Sequence, residues 1–239
     1  MPGWRARIGL LLAQPTFLDD EYWKMVPKGV SLLITRHDMP SDDVTVPVIE
    51  SCASSDEPEN SAKVLVITKP HVIAYACTAV SFIRGVGGDL DIIRRIEKAT
   101  GIPATTTSTA AVAALRHLNV KNLAVITPYP DEVNEALKRF LQGSGFNVTR
   151  ISGLQHRYGV EIGDVQPETL YRLGRDVVKE EDEALFISCT GLRTLDILEP
   201  LEEDLGKPVV TANQATIWMA LRMAKVNAQV SGCGRLMRS

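Results

Sequence analysis

Ile73-Ala74-Tyr75-Ala76-Cys77-Thr78 and Leu185-Phe186-Ile187-Ser188-Cys189-Thr190 say the same thing twice. Each is an apolar run ending in Cys-Thr, which places one thiol at the carboxyl end of a strand in each half of the chain. Open α/β sheets bind their ligands at that edge. The likeness continues outward. Leu90-Asp91-Ile92-Ile93, Glu97, Gly101, Pro103 and Thr106 recur as Leu195-Asp196-Ile197-Leu198, Glu202, Gly206, Pro208 and Thr211, at a constant spacing of 105 positions (90 to 195). The cysteines are 112 apart (77 to 189), so the first half carries about seven extra residues within Ala79–Asp89. A third pair, Arg7–Gln14 and Asn122–Tyr129, consists of apolar strands followed by polar turn residues. The chain is a duplicated unit.

With 239 residues, 45% of them apolar, the chain can bury one large core or two smaller ones, and the duplication favours two. The expected units are 1–110 with 215–239, carrying Cys77, and 111–214, carrying Cys189. A net charge of −3, with acidic and basic residues evenly scattered, leaves no basic stripe for nucleic acid. No apolar run reaches the roughly 18 residues of a membrane span, and Met1–Arg7 lacks a signal-peptide pattern, so a cytoplasmic protein is expected. Four cysteines do not make a disulfide framework in a chain of this size. Without Cys-x-x-Cys or His-x-x-x-His, no metal site is expected.

Strands are expected over 7–13, near Val30–Ile34, at 184–188, and in the short runs Ala104–Thr106 and Val209–Thr211. The segment 60–69 has strand-like Val64-Leu65-Val66-Ile67. Its counterpart Pro167–Lys179 carries Leu170, Leu173 and Val177 at helical spacing, so 60–69 is assigned to a helix. Helices are also expected after each Cys-Thr, from Asp131 to the glycines at 143 and 145, and over Thr107–Leu118 and Asn213–Ala224. Pro15 and Asp19-Asp20 read as loop, a polar stretch runs from Pro40 to Glu59, and Ser54–Ser61, the loosest segment, is expected to be a surface loop. Strands alternating with helices argue for an α/β fold of parallel sheets flanked by helices, and two such sheets facing each other would make a cleft between domains.

A thiol at a strand end that opens a helix sits near unpaired amides and the positive end of the helix dipole, both expected to lower its pKa. The amides of Thr78, Ala79, Thr190 and Gly191 would cradle a carboxylate. A lone Cys at such a place is more often packing than chemistry. Two symmetric copies shift the balance to a two-thiol enzyme that moves a proton or attacks an activated double bond. Cys52 and Cys233 lack this context and read as structural. Gln14 either binds substrate or caps its turn. Tyr129 is either a wall residue or a hydrogen-bond donor to a developing oxyanion. Arg84 and Arg193 suit solvated helix faces. Gly85-Val86-Gly87-Gly88 lacks the spacing and the Lys-Ser/Thr of a phosphate loop and belongs to the insertion, a flexible edge near the cleft. The Gly-x-Ser-x-Gly motif of a hydrolase is absent.

Tyr75-Ala76-Cys77-Thr78, Thr127-Pro128-Tyr129 followed by Asp131-Glu132-Val133-Asn134, Ser188-Cys189-Thr190-Gly191-Leu192, and Gly206-Lys207-Pro208-Val209-Val210 resemble the aspartate/glutamate racemase superfamily. Within it, they resemble the branch of maleate cis-trans isomerase and arylmalonate decarboxylase. The resemblance implies two pseudo-symmetric Rossmann-like domains, no cofactor, no metal and an active site in the interdomain cleft that takes a small carboxylate. For the isomerase it implies addition of Cys77 to the double bond of maleate, Cys189 as acid/base, and Tyr129 on a substrate carboxylate. Arylmalonate decarboxylases have a small residue where Cys77 stands, which argues against simple decarboxylation. Maleate isomerases carry an Asn where this chain has Gln14, and another in the segment that here reads His156-Arg157-Tyr158-Gly159. Ser188–Arg193, Asn213-Gln214-Ala215 and Trp218 also resemble the ectoine-utilisation proteins of the superfamily. The competing expectations are a two-base racemase or epimerase and a non-catalytic small-acid binder. An exposed apolar helix surface would favour a homo-oligomer.

Overall fold

The computed structural model describes residues 3–239. In chain order the elements are β1 (Ala6–Ala13), α1 (Asp19–Lys24), β2 (Val30–His37), α2 (Val46–Ser54), α3 (Glu57–Leu65), β3 (Val72–Ala76), α4 (Thr78–Phe82), α5 (Gly88–Thr100), β4 (Ala104–Thr106) and α6 (Thr107–His117). The second half continues with β5 (Asn122–Thr127), α7 (Asp131–Gly143), β6 (Asn147–Gly153), α8 (Gly159–Gly163), α9 (Pro167–Val177), β7 (Ala184–Ile187), α10 (Leu195–Leu205), β8 (Val209–Thr211) and α11 (Ala212–Met223).

Two four-stranded parallel sheets result, ordered β2-β1-β3-β4 and β6-β5-β7-β8. The same order appears twice, as the sequence repeat requires. The central strands β3 and β7 are buried along their whole length, which explains their continuous apolar composition. In each sheet the chain leaves β1 or β5 toward one neighbour and later returns on the other side. That reversal is the switch point where such sheets bind ligands. Gln14 and Cys77 follow the two strands at the first switch point; Tyr129 and Cys189 lie beyond those at the second.

The residues that recur at the constant spacing turn out to be scaffold. Gly101 and Gly206 take left-handed conformations (φ +71° and +66°) that end α5 and α10. Glu97 Oε1 accepts from the Ala104 amide at 3.0 Å, and Glu202 Oε1 accepts from the Val209 amide at 3.0 Å, tying each helix to the strand that follows it. Thr106 and Thr211 then cap α6 and α11 by accepting from Thr109 N and Gln214 N. These last two helices pack on each other between the sheets, with Thr107 and Thr216 hydroxyls 2.8 Å apart.

The additional residues of the first half are α4 and the turn after it. After Cys189 no helix begins until Leu195, so a helix start adjoins only Cys77. Two further expectations are corrected. Ser54–Ser61 is not a loop, since α2 ends and α3 begins within it; Pro47 and Pro58 sit in the first turns of these helices, where the missing N–H costs nothing. Asp19 and Asp20 open α1 as first-turn acids. The helix assigned to 60–69 is present as the end of α3 plus a 3-10 turn, Val66–Thr68.

Candidate active site

Gln14, Cys77, Thr78, Ala79, Tyr129, Cys189, Thr190 and Gly191 all line one cavity of about 90 Å³ between the two sheets. Every residue that the sequence singled out for the site is therefore brought together. The remaining wall includes Met39, Ser41, Asp42, Asp43, Val44 and Ile49 of the first half and Ile162 and Gly163 of the second, which carried no signal, together with Gly159, from the segment in which the sequence departs from the maleate isomerases. Among the described residues, no Lys, Arg or His lines the cavity, and Arg84 and Arg193 point to Asp91 and Asp20 instead.

The two thiols are held differently. Cys77 is the residue before α4, in ordinary extended conformation (φ −137°, ψ 104°). The Thr78 and Ala79 amides behind it belong to a first helical turn, where no intrahelical acceptor exists. Cys189 has φ +152°, a region that side-chain-bearing residues rarely occupy. Such a conformation persists only where its surroundings fix it. The Thr190 hydroxyl donates to the Ala76 carbonyl across the two halves at 3.2 Å, and Asn213 Nδ2 donates to the Leu192 carbonyl at 3.1 Å. Behind them the buried Glu21 carboxylate accepts from Thr194 N (2.9 Å), Leu195 N (3.3 Å), the Thr194 hydroxyl (3.0 Å) and Asn213 Nδ2 (2.9 Å). Tyr22 completes the set by donating to Asn213 Oδ1 at 2.7 Å. Glu21 was not singled out by sequence, because its partners lie far along the chain and nothing local marks it.

Burial pushes both thiols up, the reverse of the sequence expectation. For Cys77 desolvation dominates; neighbouring Cys52 adds to it, and the Val80 amide opposes it. For Cys189 desolvation is opposed by the Tyr129 hydroxyl and by the Gly191 amide, 3.3 Å from Sγ. Helix dipole and amides are outweighed because both thiols are buried, which leaves little water to solvate a thiolate.

Tyr129 is fixed by its backbone. Its amide donates to Thr127 Oγ1 at 3.1 Å and its carbonyl accepts from Asn134 Nδ2 at 2.9 Å, so Asn134, near the start of α7, locks the turn after β5. The Tyr129 hydroxyl lies beside the Cys189 thiol and the Thr78 hydroxyl without a well-formed hydrogen bond to either. Tyr129 Oη, Thr78 Oγ1 and Asp42 Oδ1 are buried polar atoms of the cavity wall that lack a partner within the chain. Buried groups of this kind are normally paired, so three unpaired ones around a cavity mark places for a polar ligand.

The mouth is crossed by a clasp. Val44 N donates to the Arg157 carbonyl at 2.8 Å, Gly159 N donates to the Asp42 carbonyl at 2.9 Å, and Asp43 pairs with Tyr158 in an antiparallel bridge. At about 90 Å³ the cavity is smaller than the about 150 Å³ that holds a benzene ring.

Two duplicated parallel sheets, with a thiol beyond each switch point and between them a small cavity holding unpaired polar atoms, define a two-cysteine enzyme of the aspartate/glutamate racemase fold. The family model described as arylmalonate decarboxylase matches residues 41–237, and the chain belongs to that family. It is 36% identical to the arylmalonate decarboxylase of Bordetella bronchiseptica over 169 residues, 69% of this chain and 70% of that protein. It is 30% identical to the maleate isomerase of Nocardia farcinica over 179 residues, 71% of this chain and 70% of that one. The fold matches that of a cysteine-to-serine variant of the Nocardia farcinica maleate cis-trans isomerase bearing a covalently bound succinylcysteine intermediate. That match has a TM-score of 0.90 and 23% identity and covers 98% of both chains. Among the described residues, no helix is long and apolar enough to cross a membrane, and no cluster of His, Cys, Asp or Glu is suited to a metal.

Proposed function

We propose that this chain is a cysteine-based cis-trans isomerase of a small unsaturated carboxylic acid of the maleate type. The observation that carries this reading is the pair of thiols on one small cavity, one from each half. A decarboxylase needs a proton donor, whereas a second thiol supplies a nucleophile as well. The small cavity also favours a short-chain acid over an arylmalonate.

The Thr78 and Ala79 amides, with the Thr78 and Tyr129 hydroxyls, hold the carboxylate adjacent to the double bond; Thr190 and Gly191 close its other side. Cys77, as thiolate, adds to one alkene carbon. The π electrons move to the neighbouring carbon and onto the held carboxylate, where the donors stabilise the developing charge. Cys189 gives that carbon its proton, and a single bond now joins the two centres. After rotation about it, the Cys189 thiolate takes a proton back, the C–S bond breaks and the trans acid leaves. No atom is gained or lost over the cycle. Because burial keeps both thiols protonated in the resting protein, Cys77 must first lose a proton. The expectation is that kcat/KM rises with pH, with a slope of about one, up to the thiol's ionisation.

The symmetry of the thiols also supports a second reading, in which the pair removes and delivers the α-proton of a saturated acid as a racemase does. A proton NMR time course in deuterium oxide separates the two. Growth of a fumarate signal from maleate supports the isomerase. Loss of an α-proton from an amino acid, hydantoin or related acid, with no trans product from maleate, replaces it with the racemase.

A further inference from the structure

The cavity has two unlike ends. At the end formed by Thr78, Ala79 and Tyr129, the groups presented are donors: main-chain amides and hydroxyls. The end near the mouth is formed by Gln14, Ser41, Asp42, Asp43 and Gly159. There the Asp43 carboxylate is already engaged by the Ser41 hydroxyl. One oxygen of Asp42, Oδ2, accepts from Val160 N at 3.4 Å; the other, Oδ1, is buried without a partner. Gly159 makes room for it, since a Cβ at that position would come within 2.5 Å of Asp42 Oδ1. An unpaired acceptor therefore occupies the volume that a side chain at 159 would fill.

A carboxylate of a ligand placed against Asp42 would bring two acceptors together with no proton between them. Like charges there would repel with no cationic side chain on the cavity wall, among the described residues, to offset them. A group bearing N–H would satisfy Oδ1 instead, and the Gln14 amide, both donor and acceptor, would serve its remaining atoms. We propose, building on the isomerase reading, that the far end of the substrate presents an N–H donor to Asp42, so that the site selects the half-amide of a cis-unsaturated diacid over the diacid itself. Asp42 is then the residue that determines specificity, and Gly159 the residue that makes space for it.

The test compares the half-amide maleamate with maleate, and their saturated analogues succinamate with succinate, on the unaltered full-length protein. Binding of the saturated pair, by calorimetry, needs no chemistry. The expected result is tighter binding of succinamate by about tenfold or more, matched by a kcat/KM preference for maleamate, and an Asp42→Asn variant in which both preferences shrink about tenfold. Equal or tighter binding of succinate, binding of neither, or a preference unchanged in the folded Asp42→Asn variant overturns the proposal. If succinamate is preferred but neither unsaturated acid gives a trans product, the specificity stands and the isomerase reading falls. If maleate is isomerised while succinate binds better, the reading stands and the specificity falls.

Discussion

The two halves share a sheet order, helix caps and strand-tying glutamates, yet they deliver their thiols in opposite ways. Cys77 sits in relaxed backbone beside a short helix that exists only in the first half. Cys189 sits at φ +152° in the turn between β7 and α10, held from outside by Glu21, Asn213 and the Ala76 carbonyl. A duplicated scaffold thus carries two thiols of like chemistry whose positions depend on different supports. Under the proposed mechanism the relaxed thiol forms the covalent bond, and the strained one handles the proton, a task that demands a fixed direction more than room to move.

Removing each thiol breaks this comparison most severely. Cys77→Ala is expected to abolish turnover and to leave no adduct by intact mass. Cys189→Ala is expected to cost about 10³-fold in kcat while still allowing the substrate-sized mass increase on Cys77. Equal losses with no adduct in either variant would instead make the two thiols a matched pair of bases.

The next largest effect is expected at Glu21, the support of the strained side. Glu21→Ala strips the acceptor from two buried amides, a hydroxyl and Asn213 Nδ2, and is expected to cost about 3 kcal/mol in urea unfolding. The support model also requires the residual activity of Glu21→Gln to fall through Cys189. The rate at which iodoacetamide alkylates Cys77 in this variant should stay within about twofold of the parent, and a slower Cys77 would refute that division of labour.

An acid-sensitive element lies on the relaxed side. His37 ends β2, fully buried, with its ring stacked on Tyr75 at 5.0 Å and Nδ1 facing the Asp38 carbonyl at 3.2 Å. The corresponding end of β6 is Gly153. Burial lowers the His37 pKa from 6.5 to about 4. The unfolded chain therefore binds the proton first, and stability falls as pH drops from 6.5 toward 4, then levels off. Between pH 7.5 and pH 5 this group accounts for about 2 kcal/mol, measured by urea midpoints. His37→Phe should remove that component of the acid sensitivity, and an unchanged pH slope in that variant would contradict the assignment.

The part of the site that was legible in the sequence is the part generated by repetition. Cys77 and Cys189 announce themselves as strand-end copies, and Tyr129 follows from the third repeated strand. The constant-spacing residues, by contrast, proved to be caps and ties: Glu97 and Glu202 bond strand amides and do not line the cavity that holds the thiols. What stayed hidden depends on partners distant in sequence. Asp42 meets Gly159 and Val160 across more than a hundred positions, and Glu21 meets Thr194 similarly, so no periodicity or spacing records either contact. Ser54–Ser61 misled through composition, because its proline reads as a breaker unless it is placed in a helix's first turn. The thiol pKa direction was missed because the amides are local and visible in sequence, while the burial that outweighs them is tertiary.

Gly191 gives the smallest expected effect and the sharpest view of the strained side. Its amide donates to Cys189 Sγ at 3.3 Å, and its α-carbon faces α8, so that a Cβ would lie 3.1 Å from Ile162 Cγ2 and 3.6 Å from Cys189 Sγ. The second distance is ordinary contact, whereas the first requires Ile162 to yield by a few tenths of an ångström. Gly191→Ala should therefore cost about 1 kcal/mol of stability through overpacking against α8. Pressing Ile162 outward also loads the clasp, since α8 begins at Gly159, one of the residues that bind Asp42. KM is expected to rise with kcat nearly unchanged if the turn itself keeps its shape. A fall in kcat at constant KM would mean that the Cys189 turn moved in place of Ile162, and it would show that the strained conformation is held less firmly than its hydrogen bonds indicate.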